Sequence, residues 1–270
     1  MDEFDYLLKE VGVVVLSHGR NDKLEKSLQS YEKNGLTDMV GDNFIFFNEI
    51  SNDDINLISG YEKYEWGGHQ QNLGIGWGMV KAITESDAKY VLFLENDFEL
   101  DATQEDIYNQ LTLGLNAVNN GLLDIVRYRK LSDYINTSNE VKRWANEVDS
   151  FGHPIVSGDA GREGCDPKNW WFGFAVEENF GYNNSDICEN LDGDDDNILW
   201  RMDAKYFNWS NNPFLCKKEW FLQIAKLINF DVMENVTNSR DPDFEEQMDG
   251  WWQKQPYFGG VLSGLFVHQP

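Results

Sequence analysis

Three short apolar runs, rich in β-branched and aromatic residues, divide the first hundred residues, and amphipathic segments separate them. Each run is apolar throughout, as expected for a strand that is buried on both faces of a sheet. The runs are Val11–Leu16, Phe44–Phe47 and Tyr90–Leu94. Because strands that alternate with helices need crossover connections, the pattern predicts an α/β fold with a mostly parallel sheet.

The helices between these strands have recognisable ends. For the first helix, the sequence predicts that Asp22 is the capping residue and that Glu25 is its reciprocal partner. The pair Asn34-Gly35 is typical of the point where a helix ends. Two more helices are predicted, one over Ile75–Ser86 and one that begins at a capping box formed by Thr103 and Asp106.

The second half of the chain has a different texture. Residues 130–195 are polar, glycine-rich and aromatic, with few clear helices. The remaining patterns predict a strand at Leu122–Tyr128, a helix at Lys218–Ile228 and a last helix that begins at Asp241-Pro242. Since no repeat or flexible linker interrupts the chain, we expect a single domain over residues 1–270, with a regular half (about 1–105) and an irregular half (about 106–270).

The charge excludes two classes of partner. The chain has 47 acidic and 22 basic residues, which gives a formal net charge of −25. Nucleic acids and anionic membrane surfaces attract basic proteins, so we expect neither as a partner. Adaptation to high salt is another source of such a charge. No apolar run approaches the ~20 residues that a membrane-spanning helix needs.

The cysteines indicate a compartment. Cys165, Cys188 and Cys216 are odd in number, widely spaced and outside any CxxC pair. The amino terminus is acidic and lacks the basic stretch of a signal peptide. We therefore expect reduced thiols and a cytoplasmic protein.

A pair of carboxylates follows the third strand. Glu95 and Asp97 are two residues apart, so on an extended chain they project to the same face. They stand at the carboxyl end of a strand, where open α/β sheets bind ligands. Hard oxygen ligands suit Mg²⁺ or Mn²⁺, which in turn can hold a diphosphate. The alternative is a solvated acidic turn after a core strand.

Several segments, taken in order, resemble the GT-A superfamily of glycosyltransferases. The first strand and the polar loop Ser17–Asn21 resemble the opening of these enzymes, and Asn72–Gly76 resembles their N-x-G-x-G turn. Glu95-Asn96-Asp97 stands at the position of their D-x-D motif. The late segment Phe244-Glu245-Glu246 resembles the motif that supplies the catalytic base, and Val267-His268 resembles the site of a carboxyl-terminal metal ligand.

The resemblance implies a GT-A fold, with a Rossmann-like nucleotide-binding half and an irregular half that binds the acceptor. It implies transfer of a sugar, with inversion, from a UDP- or GDP-sugar to a hydroxyl group of a glycan or glycoconjugate. The implied metal, Mn²⁺ or Mg²⁺, would be held by Asp97, Glu95 and His268. Glu246, or else Glu245, would be the general base. The implied donor contacts are Ser17, His18, Arg20, Glu49, Asn72, Glu95 and Asn96.

Two other functions stay open at the level of sequence. One is a retaining glycosyltransferase, in which the late carboxylate has a different role. The other is an inactive relative that only binds carbohydrate. The tryptophan pairs Trp170-Trp171 and Trp251-Trp252 fit a sugar-binding cleft, but they fit core packing equally well. A metal site distinguishes the alternatives, because sugar binding alone does not require one.

Overall fold

The computed structural model describes residues 3–132, 180–192, 198–207, 209–227, 248 and 251–269. The helices in these residues are α1 (Glu3–Leu8), α2 (Asn21–Lys33), α3 (Leu36–Met39), α4 (Asn52–Ile58), α5 (Gly74–Glu85), α6 (Gln104–Asn119), α7 (Phe180–Asn183) and α8 (Lys218–Ala225). The strands are β1 (Val11–Ser17), β2 (Asp42–Asn48), β3 (Glu65–His69), β4 (Tyr90–Glu95), β5 (Phe98–Leu100), β6 (Ile125–Arg129), β7 (Cys188–Asp192), β8 (Leu199–Asp203), β9 (Phe214–Lys217) and β10 (Phe258–His268).

The described strands form one ten-stranded sheet with the order β3-β2-β1-β4-β9-β6-β10-β8-β7, and β5 pairs with β10. The first four strands in this order are parallel to one another. This confirms the parallel, Rossmann-like half that the alternation of strands and helices predicts. The second half adds antiparallel strands, since β9 runs antiparallel to both β4 and β6.

Helices cover both faces of the sheet. All seven residues of β1 are buried, and alternate residues belong to two different hydrophobic clusters. Val13 and Val15 pack in the cluster that contains the apolar faces of α2 and α6. Val14 and Leu16 pack in the cluster that contains the apolar faces of α5 and α8. Strand β1 is therefore buried on both faces, as its continuous apolar run predicts for a central parallel strand.

The start of α2 differs from the prediction. Asp22 is not the capping residue, because α2 begins at Asn21 and Arg20 takes the N-cap position without a side-chain hydrogen bond. The physical reason is the backbone of the loop. Gly19 and Arg20 both have left-handed conformations, with φ of 59° and 53°, so the chain enters the helix two residues earlier than a standard Asp cap would allow. Asp22 lies within the first turn, where its negative charge still stabilises the helix by interacting with the helix dipole.

Two other helices have capping boxes. Thr103 and Asp106 cap α6 reciprocally, as the sequence predicts. Ser51 and Asp54 do the same for α4, which the sequence reading did not identify. The strand predicted at Leu122–Tyr128 begins later, at Ile125, because the backbone N–H groups of Leu122 and Leu123 close the end of α6 on the carbonyl of Ala117. The helix predicted from Asp241-Pro242 lies outside the described residues.

One of the tryptophans proposed for a sugar-binding cleft, Trp252, packs in the core. Trp252 is fully buried and contacts the rings of Trp209, Trp220 and Tyr257. Trp252 therefore belongs to the core and does not line a cleft, whereas Trp170-Trp171 lie outside the described residues.

The described cysteines, Cys188 and Cys216, are free and buried, as expected of reduced thiols. Burial raises the pKa of Cys188 to about 12 and also raises that of Cys216. In the part of the chain that the structure describes, no helix has the length and apolar character to cross a membrane.

Candidate functional site

The candidate site lies at the carboxyl edge of the parallel strands. Strand β1 has β2 on one side and β4 on the other, so the chain leaves β1 in one direction for β2 and later returns to the opposite side for β4. Open α/β sheets bind ligands at such a switch point. Ser17 ends β1 and Glu95 ends β4, and the loops that follow these strands carry His18, Arg20, Asn96 and Asp97.

Asp97 is the centre of a charged cluster. Its Oδ2 atom lies 2.8 Å from the Arg20 guanidinium and 3.2 Å from His268 Nε2. The Asp97 side chain is only 5% exposed, whereas those of Arg20 and His268 are 53% and 36% exposed. The expected proximity of His268 and Asp97 is therefore present, because β10 pairs antiparallel with β5 and places His268 opposite Phe98.

Asp97 is held as a carboxylate. Burial raises its pKa, but the hydrogen bond and the charge of His268, together with two nearby cations, outweigh burial and hold the pKa below its usual value. The two cations are Arg20 and Lys23. An ionised, buried carboxylate at this edge is suited to bind a further cation.

The second carboxylate oxygen of Asp97 also supports the binding of a cation at this point. Oδ1 is buried and has no hydrogen-bond partner among the residues that the structure describes. A buried charged oxygen without a partner is costly. Asp97 and His268 are the metal-ligand types present at this point, and they fit a divalent cation. In the described residues, no group of three or more His, Cys, Asp and Glu side chains is arranged to hold a metal, so Glu95 does not complete a ready three-ligand site.

Asn96 organises the turn that presents Asp97. It is 2% exposed, and its Nδ2 donates to the carbonyl of Gly19 at 2.8 Å and to Ser17 Oγ at 3.3 Å. The backbone carbonyl of Asn96 accepts a hydrogen bond from Ser27 Oγ at 3.1 Å. The Asn96 amide is thus committed to joining the loops after β1 and β4.

Two residues outside the predicted site, Ser27 and Gln269, support this turn. Gln269 Nε2 donates to Ser27 Oγ at 2.8 Å, and the Gln269 backbone N–H donates to the carbonyl of Asp97. Lys23 Nζ in turn donates to the carbonyl of Gln269. No local pattern marks these residues, because their partners are distant in the sequence.

A second cluster lies at the ends of β1 and β2. His18 Nε2 is 3.2 Å from Glu49 Oε2 and 3.2 Å from Asn72 Nδ2. Asn72 Oδ1 accepts from Asn48 Nδ2 and from the Gly74 backbone N–H, so its Nδ2 must point toward His18. Glu49 and Asn72 therefore compete for one ring nitrogen, since a carboxylate needs it protonated and an amide N–H needs it free.

The His18 cluster is accessible to a ligand. The side chains of His18 and Glu49 are 51% and 57% exposed. Glu49 has a left-handed backbone with φ of 78°, which is unusual for a residue other than glycine. An exposed pair with an unsettled hydrogen bond and a strained backbone is suited to rearrange around polar groups of a ligand.

The structure thus groups most of the predicted site residues into two clusters at one edge of the sheet. Ser17, Arg20, Asn96, Asp97 and His268 form one cluster, and His18, Glu49 and Asn72 form the other. Glu245 and Glu246, the predicted catalytic base and its neighbour, lie outside the described residues.

Solved structures of S. aureus TarS have a fold similar to that of this chain. The chain is similar to S. aureus TarS 1-349, with 11% identity, a TM-score of 0.51, and coverage of 96% of this chain and 60% of that chain. It is similar to the same protein in complex with UDP, with 11% identity, a TM-score of 0.52 and the same coverage of 96% and 60%. It also matches, over 50% of its length and 40% of the other chain, the mannosyltransferase PcManGT from Pyrobaculum calidifontis in complex with GDP-Man and Mn²⁺, with 12% identity and a TM-score of 0.39.

The likeness to TarS, together with the sheet order, confirms the α/β fold with a mostly parallel, Rossmann-like half that the sequence predicts. The chain spans 60% of the length of the two TarS 1-349 chains that it matches. No protein-family model and no curated protein sequence matches it.

Proposed function

We propose that this chain is a glycosyltransferase that moves a sugar from a UDP- or GDP-sugar to a hydroxyl group of a glycan or glycoconjugate. The observation that carries the proposal is the buried, ionised carboxylate of Asp97 at the carboxyl edge of the sheet, one oxygen of which has no hydrogen-bond partner within the described part of the chain. The likeness of the fold to TarS, which has been solved in complex with UDP, supports a nucleotide as the ligand of this edge.

The proposal includes a divalent metal, Mn²⁺ or Mg²⁺, held by Asp97 and His268. Mg²⁺ is commonly bound by one or two carboxylates, while substrate phosphates and water complete its shell. A pair of protein ligands is therefore sufficient for a metal that arrives with a diphosphate. When bound, the metal supplies positive charge against the negative charge of the leaving diphosphate. Glu95 stays a predicted further contact to this metal.

The chain's own residues would place the donor between the two clusters. Ser17, His18, Arg20, Glu49 and Asn72 are the proposed donor contacts, and the exposure of His18 and Glu49 makes them available for polar groups of the nucleotide. Asn96 has a different part, because its buried amide is occupied by the β1 loop. We assign it the positioning of Asp97.

The acceptor hydroxyl would lose its proton to Glu246, or else to Glu245. Adjacent residues on a helix point about 100° apart, so only one of the two glutamates can face the cleft squarely. Attack by the deprotonated hydroxyl from the side opposite the diphosphate would invert the anomeric centre. Removal of a general base typically costs ~10²–10⁴-fold in rate.

The metal can be tested by thermal unfolding with UDP and GDP, with Mn²⁺ or with EDTA. We expect stabilisation by the diphosphate only when Mn²⁺ is present. Asp97→Asn should fold normally and lose the metal-dependent part. Asp87→Asn, an equal change of charge at an exposed residue before β4, is the matched control and should behave as wild type. Equal stabilisation in EDTA would overturn the metal dependence.

The base can be tested by comparing Glu245→Gln with Glu246→Gln. We expect Glu246→Gln to abolish most sugar transfer and to leave diphosphate affinity unchanged, because the base acts on the acceptor. Near-normal transfer by both variants would remove the support for an inverting mechanism. If a glycan stabilises the wild-type protein and no nucleotide does, the chain is a carbohydrate-binding relative of the enzymes.

A further inference from the structure

We propose that Arg20 is an exchangeable counterion. In the free protein it neutralises Asp97, and when a divalent cation and a nucleoside diphosphate bind it releases the carboxylate and pairs with the diphosphate. This inference rests on the proposed function and assigns to Arg20 the control of metal entry at the same site. It predicts that Arg20 opposes binding of the metal alone and favours binding of the diphosphate once the metal is present.

The geometry makes Arg20 the movable partner of the pair. Its Nη1 lies 2.8 Å from Asp97 Oδ2, and its Nη2 lies 3.4 Å from Asn96 Oδ1. The Arg20 side chain is 53% exposed, whereas that of Asp97 is 5% exposed. Arg20 thus reaches a fixed, buried carboxylate from the solvent side, and a change of its rotamer disturbs no core packing.

The backbone of Arg20 can stay in place while the side chain moves. Its carbonyl accepts hydrogen bonds from the backbone N–H groups of Lys23 and Leu24, which anchor it at the start of α2. Its side chain does not cap the helix. The start of α2 is therefore stabilised by the backbone of Arg20 and not by its side chain, and the guanidinium is available for a ligand.

The electrostatics require an exchange. A divalent cation at Asp97 would stand next to the Arg20 guanidinium, and two positive groups at that distance repel each other. Among the described residues, both ion pairs of the Asp97 side chain fall on Oδ2, and Oδ1 is buried without a hydrogen-bond partner, so a cation that approaches from solvent meets the carboxylate beside Arg20. A diphosphate carries more negative charge than one divalent cation neutralises, and an arginine guanidinium matches phosphate oxygens with two parallel hydrogen bonds.

The experiment measures binding, not turnover. Mn²⁺ alone is titrated into wild-type protein and into Arg20→Gln by calorimetry and by the loss of the free-Mn²⁺ paramagnetic resonance signal. UDP and GDP are then titrated in saturating Mn²⁺. A charge-assisted hydrogen bond contributes enough that its loss changes a binding constant by about tenfold or more. We expect Arg20→Gln to bind Mn²⁺ about tenfold more tightly than wild type and to bind the diphosphate about tenfold more weakly.

Lys26→Gln is the matched control. Lys26 is exposed on the same helix, α2, and its loss changes the net charge by the same amount. If both variants tighten Mn²⁺ binding equally, the effect is that of overall charge and the proposal is wrong. Arg20→Lys keeps the charge but not the paired donors, so it should bind Mn²⁺ nearly as wild type does and should bind the diphosphate more weakly.

The remaining outcomes separate this inference from the proposed function. If Arg20→Gln binds Mn²⁺ more weakly than wild type or with equal affinity, Arg20 is not a competitor of the metal and the inference fails, even where a diphosphate still binds. Absence of Mn²⁺ binding by both proteins also overturns it. If Mn²⁺ binding tightens as expected but no nucleoside diphosphate binds, Arg20 does compete with the metal for Asp97. Pairing of Arg20 with the diphosphate and the proposed function are then both refuted.

Discussion

At the scale of single residues, Asn48 shows how one buried amide shapes the ligand edge. Asn48 is 4% exposed. Its Nδ2 donates to Asn72 Oδ1 and to the carbonyl of Gly74, and its Oδ1 accepts from the backbone N–H of Leu73 at 2.7 Å. A primary amide both donates and accepts hydrogen bonds, so one side chain serves all three partners. Asn48 therefore fixes the turn before α5 and, through Asn72, the surroundings of His18.

The Asn48→Ala substitution should be strongly destabilising. It leaves a backbone N–H and a carbonyl of the turn without partners, and we expect a loss of about 2–3 kcal/mol in the free energy of unfolding, because unsatisfied buried groups cost about 1–3 kcal/mol each. Urea unfolding measures the loss. Asn56→Ala, at an exposed position of α4, is the control and should stay within about 0.5 kcal/mol of wild type. Equal effects of the two substitutions would show that the turn is held by other contacts.

Asp124 offers a prediction about pH. Burial raises its pKa above the usual 3.8, and the hydrogen bond from the Phe258 backbone N–H, at 2.8 Å, only partly opposes this. A carboxyl whose folded-state pKa is raised loses stabilisation as the pH increases from its unfolded-state pKa through the folded value. The ionised Asp124 is therefore a cost to the fold at neutral pH.

The Asp124→Asn substitution should remove that cost, because the amide oxygen still accepts the hydrogen bond from Phe258. We expect the variant to be more stable than wild type at pH 7, and this advantage to disappear as the pH falls to about 3.8 and below. Urea unfolding of both proteins at matched pH values measures the difference. A variant that is less stable than wild type at pH 7 would show that the nearby cations Lys217 and Arg201 outweigh burial.

At the scale of elements, the sequence predicts what local patterns encode. Strands β1, β2 and β4 were predictable because each is apolar on both faces. The capping box of α6 was predictable because Thr103 and Asp106 are three residues apart. By contrast, β10 carries Gly259, Gly260 and Gly264, which weaken any strand pattern. Close packing requires glycine at two of these positions, since a Cβ at Gly259 would meet the ring of Phe207 and one at Gly260 would meet Leu123.

The candidate site divides in the same way. The positions of Ser17 and Asp97 followed from the ends of predicted strands, and the resemblance supplied His268. The supporting residues Ser27 and Gln269 have no such signal, because they bond to each other across 242 positions of the chain. Long-range hydrogen bonds depend on the assembled sheet, and a single sequence does not display them.

The contact between α6 and β6 leads to a prediction about packing. A Cβ at Gly114 of α6 would meet the Tyr128 hydroxyl and Val126 Cγ1 of β6. Alanine is favoured over glycine in a helix by up to about 1 kcal/mol, whereas overpacking a core costs about 1–3 kcal/mol. We expect overpacking to dominate, so Gly114→Ala should lower the free energy of unfolding by about 1–2 kcal/mol.

A double variant tests this cause. Tyr128→Phe removes the hydroxyl that the new methyl group would meet, so Gly114→Ala should be less destabilising in the Tyr128→Phe background than in wild type, with a coupling of at least about 0.5 kcal/mol. Gly60→Ala is the control, because its Cβ would have only an ordinary contact at 3.5 Å. A stabilising Gly114→Ala would show that the sheet yields to the extra methyl group.

At the scale of the whole molecule, the net charge of −25 opposes the compact state. The ion pairs on the surface offset little of this. In the pairs Lys63–Asp38 and Arg201–Glu189, at least one of the two partners is largely exposed. Exposed pairs typically contribute about 0–1 kcal/mol each. Repulsion among the excess acidic groups should therefore be the larger electrostatic effect on stability.

Salt should for this reason raise the melting temperature. The screening length falls from about 30 Å at 0.01 M to about 10 Å at 0.1 M and about 3 Å at 1 M, so repulsion between distant carboxylates is lost before that between neighbours. Differential scanning fluorimetry in NaCl should show a steep rise in melting temperature below about 0.3 M, followed by a plateau, since little long-range repulsion is left to screen. A melting temperature that falls with salt would mean that the ion pairs dominate. A rise that continues undiminished to molar salt, with loss of folding at low salt, would instead indicate adaptation to a saline environment, in which the acidic surface depends on concentrated cations.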